Sequence, residues 1–109
     1  MTDKIVVFST CSSGEEAERI ARRLIETRLA ACVTVLPGAR SFYWWKGTIE
    51  DSSEWFLVIK SRRDLFRRLQ AELGKAHSYE VPEVLALSVV DGAQAYLDWL
   101  EAELATEGQ

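Results

Sequence analysis

Apolar positions along this chain alternate between a strand-like and a helix-like period. Residues 4–10, KIVVFST, form a short β-branched run that predicts a strand. In the SSGEEAERIARRLIETRLAA stretch that follows, Ala17, Ile20, Ala21, Leu24 and Ile25 recur at helical spacing and predict one buried stripe. Ser13 with Glu16 reads as a capping box, and Glu15, Glu16, Arg22 and Arg23 sit where the helix dipole favours their charges. CVTVLPG (32–38) is a second expected strand, stopped by Pro37-Gly38. SFYWWKG (41–47) is an extended aromatic run, TIEDSSE turns the chain, and EWFLVIKS (54–61) is a further strand. Ser61 with Asp64 is expected to cap a second helix with the stripe Leu65, Phe66, Leu69 and Leu73, ending near Gly74. VLALSVV (84–90) reads as the last strand. Asp91 then caps a final helix that turns Ala93, Leu97, Leu100 and Leu104 inward.

Two strand–helix–strand units of nearly equal span follow one another, which predicts the α+β, ferredoxin-like order βαββαβ in one domain over residues 1–109. The aromatic segment 41–51 is an insertion between the halves, and the third helix is an appendage. Two helices can cover only one face of the sheet, yet WFLVI (55–59), FYWW (42–45) and VLAL (84–87) place apolar residues on both. An open apolar face of that size is rare on a soluble monomer, so identical subunits in a closed assembly are expected to cover it. The alternative is that the third helix folds across it.

Composition narrows the function more than the fold. A net charge of −4 gives nucleic acid no electrostatic footprint. No apolar run approaches the ~20 residues of a bilayer span, and the first residues lack the pattern of a signal peptide, so no membrane contact and a cytoplasmic location are expected. The two cysteines make no disulfide framework or zinc motif. HSYEVPEV (77–84) gathers the one histidine with Tyr79, Glu80 and Glu83. His77, Glu80 and Glu83, with Cys11 if the fold brings it near, make a candidate divalent-metal set, copper(II) being favoured by intrinsic order. The competing reading is a hydrogen-bonded histidine at a helix end. No GxSxG nucleophile or phosphate-cradling glycine pattern is present, and no enzyme is expected. Cys32, among small and apolar neighbours, is expected in the core. Cys11, beside a helix N-terminus, is the better candidate for a reactive thiol. Tyr43, Trp44 and Trp45 suit core or subunit-interface packing better than base stacking.

Taken together, LAACVTVLPGARSFYWWKGTIEDSSE, LVIKSR, HSYEVPEVLAL and YLDWL are collinear over nearly the whole chain with the CutA-type divalent-cation tolerance proteins, which this sequence resembles. The resemblance implies a ferredoxin-like subunit in a tight homotrimer, with strands extended between neighbours and an assembly like that of the PII signalling proteins. It implies a link to divalent metals, copper in particular, with no settled enzymatic activity. Some relatives place a cysteine at the end of the first strand and two histidines before the tyrosine of this motif. Here those positions hold Ser9 and Ala76 followed by His77, with Ser78 where a proline is often found. The site implied for this chain is His77, Tyr79, Glu80 and Glu83, with Cys11 as a substitute ligand. A PII-like sensor of small anions, with Lys60 and Arg62 as contacts, and a ligand-free trimeric scaffold are the alternatives.

Overall fold

The computed structural model describes residues 1–106. Its elements are β1 (Lys4–Cys11), α1 (Gly14–Glu26), β2 (Cys32–Trp45), β3 (Thr48–Arg62), a 3-10 turn (Arg63–Leu65), α2 (Phe66–Ala76), β4 (Leu85–Ser88) and α3 (Gln94–Glu103). The sheet runs β2-β3-β1-β4 with every pair antiparallel. This is the ferredoxin-like arrangement that the repeated strand–helix–strand pattern predicts.

Alternation along the central strands sorts the two faces. Ile5, Val7, Ser9 and Cys11 of β1 lie opposite Ser61, Ile59, Leu57 and Trp55 of β3 and face the helices. Against them pack Ala17, Ile20 and Leu24 of α1 and Leu69 and Leu73 of α2, all fully buried. Ile25, expected in that stripe, is exposed. It follows Leu24 directly, and one helical step turns it about 100° off the buried line. Glu16 N–H donates to Ser13 Oγ at 3.1 Å, as a capping box requires, but the Glu16 carboxylate reaches Ser12 rather than Ser13. The helix closes on Arg28 at φ 57, with Leu29 N–H bonded to Leu24 O and Arg28 N–H to Ile25 O. That is a Schellman end, and it tucks Leu29 into the core.

Three expectations need correction. Pro37-Gly38 does not stop β2, which continues to Trp45. β2 is an edge strand, where a missing N–H costs no ladder bond. Gly38, at φ 82, takes up a register shift between Leu36 and Ala39. The aromatic run is therefore no insertion. Together with 48–53, expected as a turn, it is the outer half of one long β2–β3 hairpin. A two-residue turn at Lys46 (φ 49) and Gly47 (φ 87) closes it, the left-handed pair that matches strand twist. The second correction concerns the caps. Ser61 Oγ is buried and donates to Leu29 O at 2.6 Å, Asp64 pairs with Arg62, and α2 begins without a side-chain cap. Among the described residues Asp91 accepts only from Gly92 N–H, and α3 starts at Gln94. Third, the last strand is shorter than expected, four residues, and Ala93 is exposed while Leu100 and Leu104 are buried.

The other sheet face carries Val6, Phe8, Phe56 and Val58, flanked by Leu36 on β2 and Leu85 and Leu87 on β4. The Phe8 and Phe56 rings pack against each other at 5.2 Å, tilted by 50°. α3 reaches one end of this face, where Glu101 bonds Lys4 Nζ at 2.8 Å and Arg62 Nη1 at 2.9 Å. It does not cover the rest, and Leu85 is 58% exposed. The outer hairpin adds Phe42, Trp44 and Ile49 on one side, each more than 60% exposed.

Candidate functional site

The segment after α2 is fixed by four side chains in succession. His77 ends the helix in extended geometry, and its ring is wholly buried. Tyr79 N–H donates to His77 Nδ1 at 3.0 Å, so the ring proton sits on Nε2 and donates to Thr10 O on β1 at 2.7 Å. Ser78 N–H donates to Glu16 Oε2 at 2.6 Å, while Glu16 Oε1 accepts from Ser12 N–H and Oγ. Burial pushes this carboxyl up, but the bonds from Ser78 and Ser12 outweigh it and hold Glu16 at about 2. Tyr79 packs against the His77 ring, centroids 4.7 Å apart and tilted by 50°, and donates its hydroxyl to Glu54 Oε2 on β3 at 2.6 Å. Burial, then the Glu54 carboxylate, raise the phenol well above its ordinary value. The segment is thereby tied to β1, to the start of α1 and to β3.

Beyond Tyr79 the chain leans outward. Glu80, Val81 and Glu83 face the inner side of the outer hairpin across a cleft of about 650 Å³. Tyr43 and Trp45 form its aromatic wall, and Glu50 and Glu54 join Glu80 and Glu83 as its acids. Lys46, at the hairpin tip, closes on Glu80 at 3.8 Å. Glu54, Glu50 and Tyr43 escape sequence reading because strand periodicity assigns them only to a face. The pairing of Tyr43 with Glu50 across the hairpin is what places them beside residue 79.

The structure brings Glu80, Glu83 and Tyr79 together at this cleft and sets the other candidates apart. Both nitrogens of His77 are engaged within the chain, so a metal ion there would displace Thr10 or Tyr79. Cys11 is fully buried in the core, its Sγ 3.5 Å from Ser13 O. Burial pushes that thiol up, opposite to the activation expected from the nearby helix terminus. Cys32, expected in the core, is half-buried on the open sheet face, with Lys60 Nζ 3.9 Å from its sulfur. Arg62 is buried and spends its guanidinium on Asp64, Glu101 and Ala105 O. Neither Lys60 nor Arg62 lines the cleft, whose acid lining opposes an anionic ligand. Among the described residues no three His, Cys, Asp or Glu side chains gather into a set that could hold a metal ion. No helix among them is long and apolar enough to cross a membrane.

Fold and site together define a small α+β fold with an uncovered apolar sheet face and an acid-and-aromatic cleft beside its long hairpin. A family model described as "CutA1 divalent ion tolerance protein" matches residues 5–103. The chain belongs to this family. It is 45% identical over 104 residues to the divalent-cation tolerance protein CutA of Pectobacterium atrosepticum, covering 95% of this chain and 94% of the relative. CutA from Xylella fastidiosa superposes with a TM-score of 0.93 at 41% identity, over 95% of this chain and all of that one. The protein from Thermus thermophilus superposes with a TM-score of 0.91 at 39% identity, over 94% of this chain and 99% of its own. Compartments differ among relatives: an Arabidopsis thaliana protein, 39% identical over 89% of this chain and 53% of its own length, is named chloroplastic. An Archaeoglobus fulgidus structure, TM-score 0.89 and 39% identical over 92% of this chain and 97% of its own, is described as periplasmic.

Proposed function

We propose that this protein serves divalent-cation tolerance as a closed homotrimer of ferredoxin-like domains. It holds copper(II) or another divalent ion weakly, where Glu80 and Glu83 of one subunit meet donors of the next. It binds and does not catalyse. The observation that supports this most is the position of those two carboxylates, exposed at the mouth of an acid-lined cleft. The described residues of one chain present too few converging ligands for a tight site, and a neighbour adds the missing ones. His77 joins the set only by giving up Thr10 or Tyr79, and Cys11 only by leaving the core. Assembly rests on the open face carrying Leu36, Leu85 and Leu87 and on the apolar side of the outer hairpin, which identical subunits bury. A reducing compartment, the cytoplasm, suits the two free thiols.

Calorimetric titration of copper(II) into the wild type and into a Glu80→Gln/Glu83→Gln variant tests the metal reading. The expected result is at least about tenfold weaker binding in the variant. Equal binding removes both carboxylates from the site, and no heat in either protein leaves a scaffold without a metal.

A further inference from the structure

We infer that the floor of the same cleft binds a linear aliphatic polyamine, with one ammonium group seated on Glu54. Glu54 is 5% exposed and lines the cleft. Its Oε2 accepts from the Tyr79 hydroxyl, and among the described residues nothing else bonds its carboxylate and no lysine, arginine or histidine pairs with it. A carboxylate this buried without a counter-charge is costly, and a cation entering the cleft relieves that cost.

The walls choose the kind of cation. Tyr43, Trp45 and Tyr79 present aromatic surface, from which a strongly hydrated metal ion gains little and an alkylammonium gains both cation–π attraction and apolar contact. The chain supplies its own example: the Lys46 ammonium lies 5.5 Å from the centre of the Trp45 ring and 3.8 Å from Glu80. The acids are spread along the cleft rather than converged on one point, since no three of them form a metal-holding group. Separated carboxylates with aromatic surface between them match amines separated by methylene chains. A volume of about 650 Å³ is ample for such a ligand. The inference shares its cleft with the metal reading but rests on the floor, and it stands whether or not Glu80 and Glu83 hold an ion.

Spermidine titrated into the full-length protein, with a chelator present and at about 150 mM salt, tests this by calorimetry and tryptophan fluorescence. Saturable binding tighter than about 1 mM is expected, weakened at least tenfold in Glu54→Gln and several-fold in Trp45→Leu. Glu18→Gln, on the far side of α1, leaves it unchanged. Absence of saturable binding overturns the inference, as does equal affinity in Glu54→Gln. If Glu54→Gln does not fold by circular dichroism, Glu50→Gln/Glu83→Gln replaces it, and unchanged affinity there overturns the inference equally. The chelator separates the two readings: copper binding without spermidine binding sinks this inference alone, and spermidine binding without copper binding sinks the metal reading alone.

Discussion

Replacing Glu16 by glutamine should cost about 3 kcal/mol of folding stability at neutral pH, reached from two directions. The carboxylate is 4% exposed and accepts three hydrogen bonds, from Ser12 N–H, Ser12 Oγ and Ser78 N–H, with Arg19 3.8 Å away. A glutamine keeps one oxygen, so it serves either the Ser12 pair or Ser78 and turns an N–H₂ on the other. Losing one or two charge-assisted bonds and burying a mismatched donor costs about 2–4 kcal/mol. Independently, the fall of the carboxyl from an ordinary 4.5 to about 2 corresponds to about 3 kcal/mol. With so little exposure, solvent screening takes little from that figure. The folded-state value is depressed, so the contribution is complete above about pH 4.5 and is lost as pH falls through about 2. The gap between wild type and variant should shrink by more than half between about pH 7 and pH 3. Urea denaturation of both at equal protein concentration, across that range, measures it. Equal concentrations matter because an assembly makes apparent stability concentration-dependent. Comparing the two proteins cancels the contributions of Asp3, Asp51 and Glu72, whose carboxyls are also held low. A gap under about 0.5 kcal/mol at neutral pH, or one constant with pH, refutes the assigned role.

The remaining predictions address the loop, the hairpin and the open surface. His77→Ala should destabilise by about 2–4 kcal/mol, through loss of a wholly buried ring and its bonds to Thr10 and Tyr79; a melting temperature within a degree or so of wild type would contradict that. Gly47→Val forces a β-branched residue to φ 87 at the hairpin turn, and urea titration should show a loss of about 1–2 kcal/mol. Replacing Phe42, Trp44 and Ile49 together by serine removes apolar surface that the isolated chain leaves in water. Circular dichroism should stay native while sedimentation shows weaker association, and unaltered association would take the hairpin out of the subunit contact.

Much of this fold is legible from the sequence, because the deciding signals are local. KIVVFST is a short apolar, β-branched run, Ser13 stands three residues before Glu16, and Leu69 and Leu73 are one helical turn apart. Misreadings arise where tertiary pairing overrides a local signal. Pro37-Gly38 ends most strands, but β2 lies at the sheet edge and a shifted register absorbs the pair. Ser61 and Asp64 resemble caps because nothing local reveals that Leu29 O and Arg62 claim them. The site is legible in part. HSYEVPEV marks the segment that lines the cleft, yet its histidine faces inward and binds backbone. The carboxylate at the cleft floor, Glu54, sits 25 residues from its partner Tyr79. Such a contact is set by which strands are neighbours, and the spacing of residues along the chain does not encode it.

Native mass spectrometry of the full chain with copper(II), at micromolar concentration, tests assembly and metal binding in one spectrum. A species of three times the 12.3 kDa chain mass carrying bound metal is expected, with the metal lost in Glu80→Gln/Glu83→Gln while the three-chain mass persists. A single-chain mass, or a three-chain species that takes no metal, would contradict it.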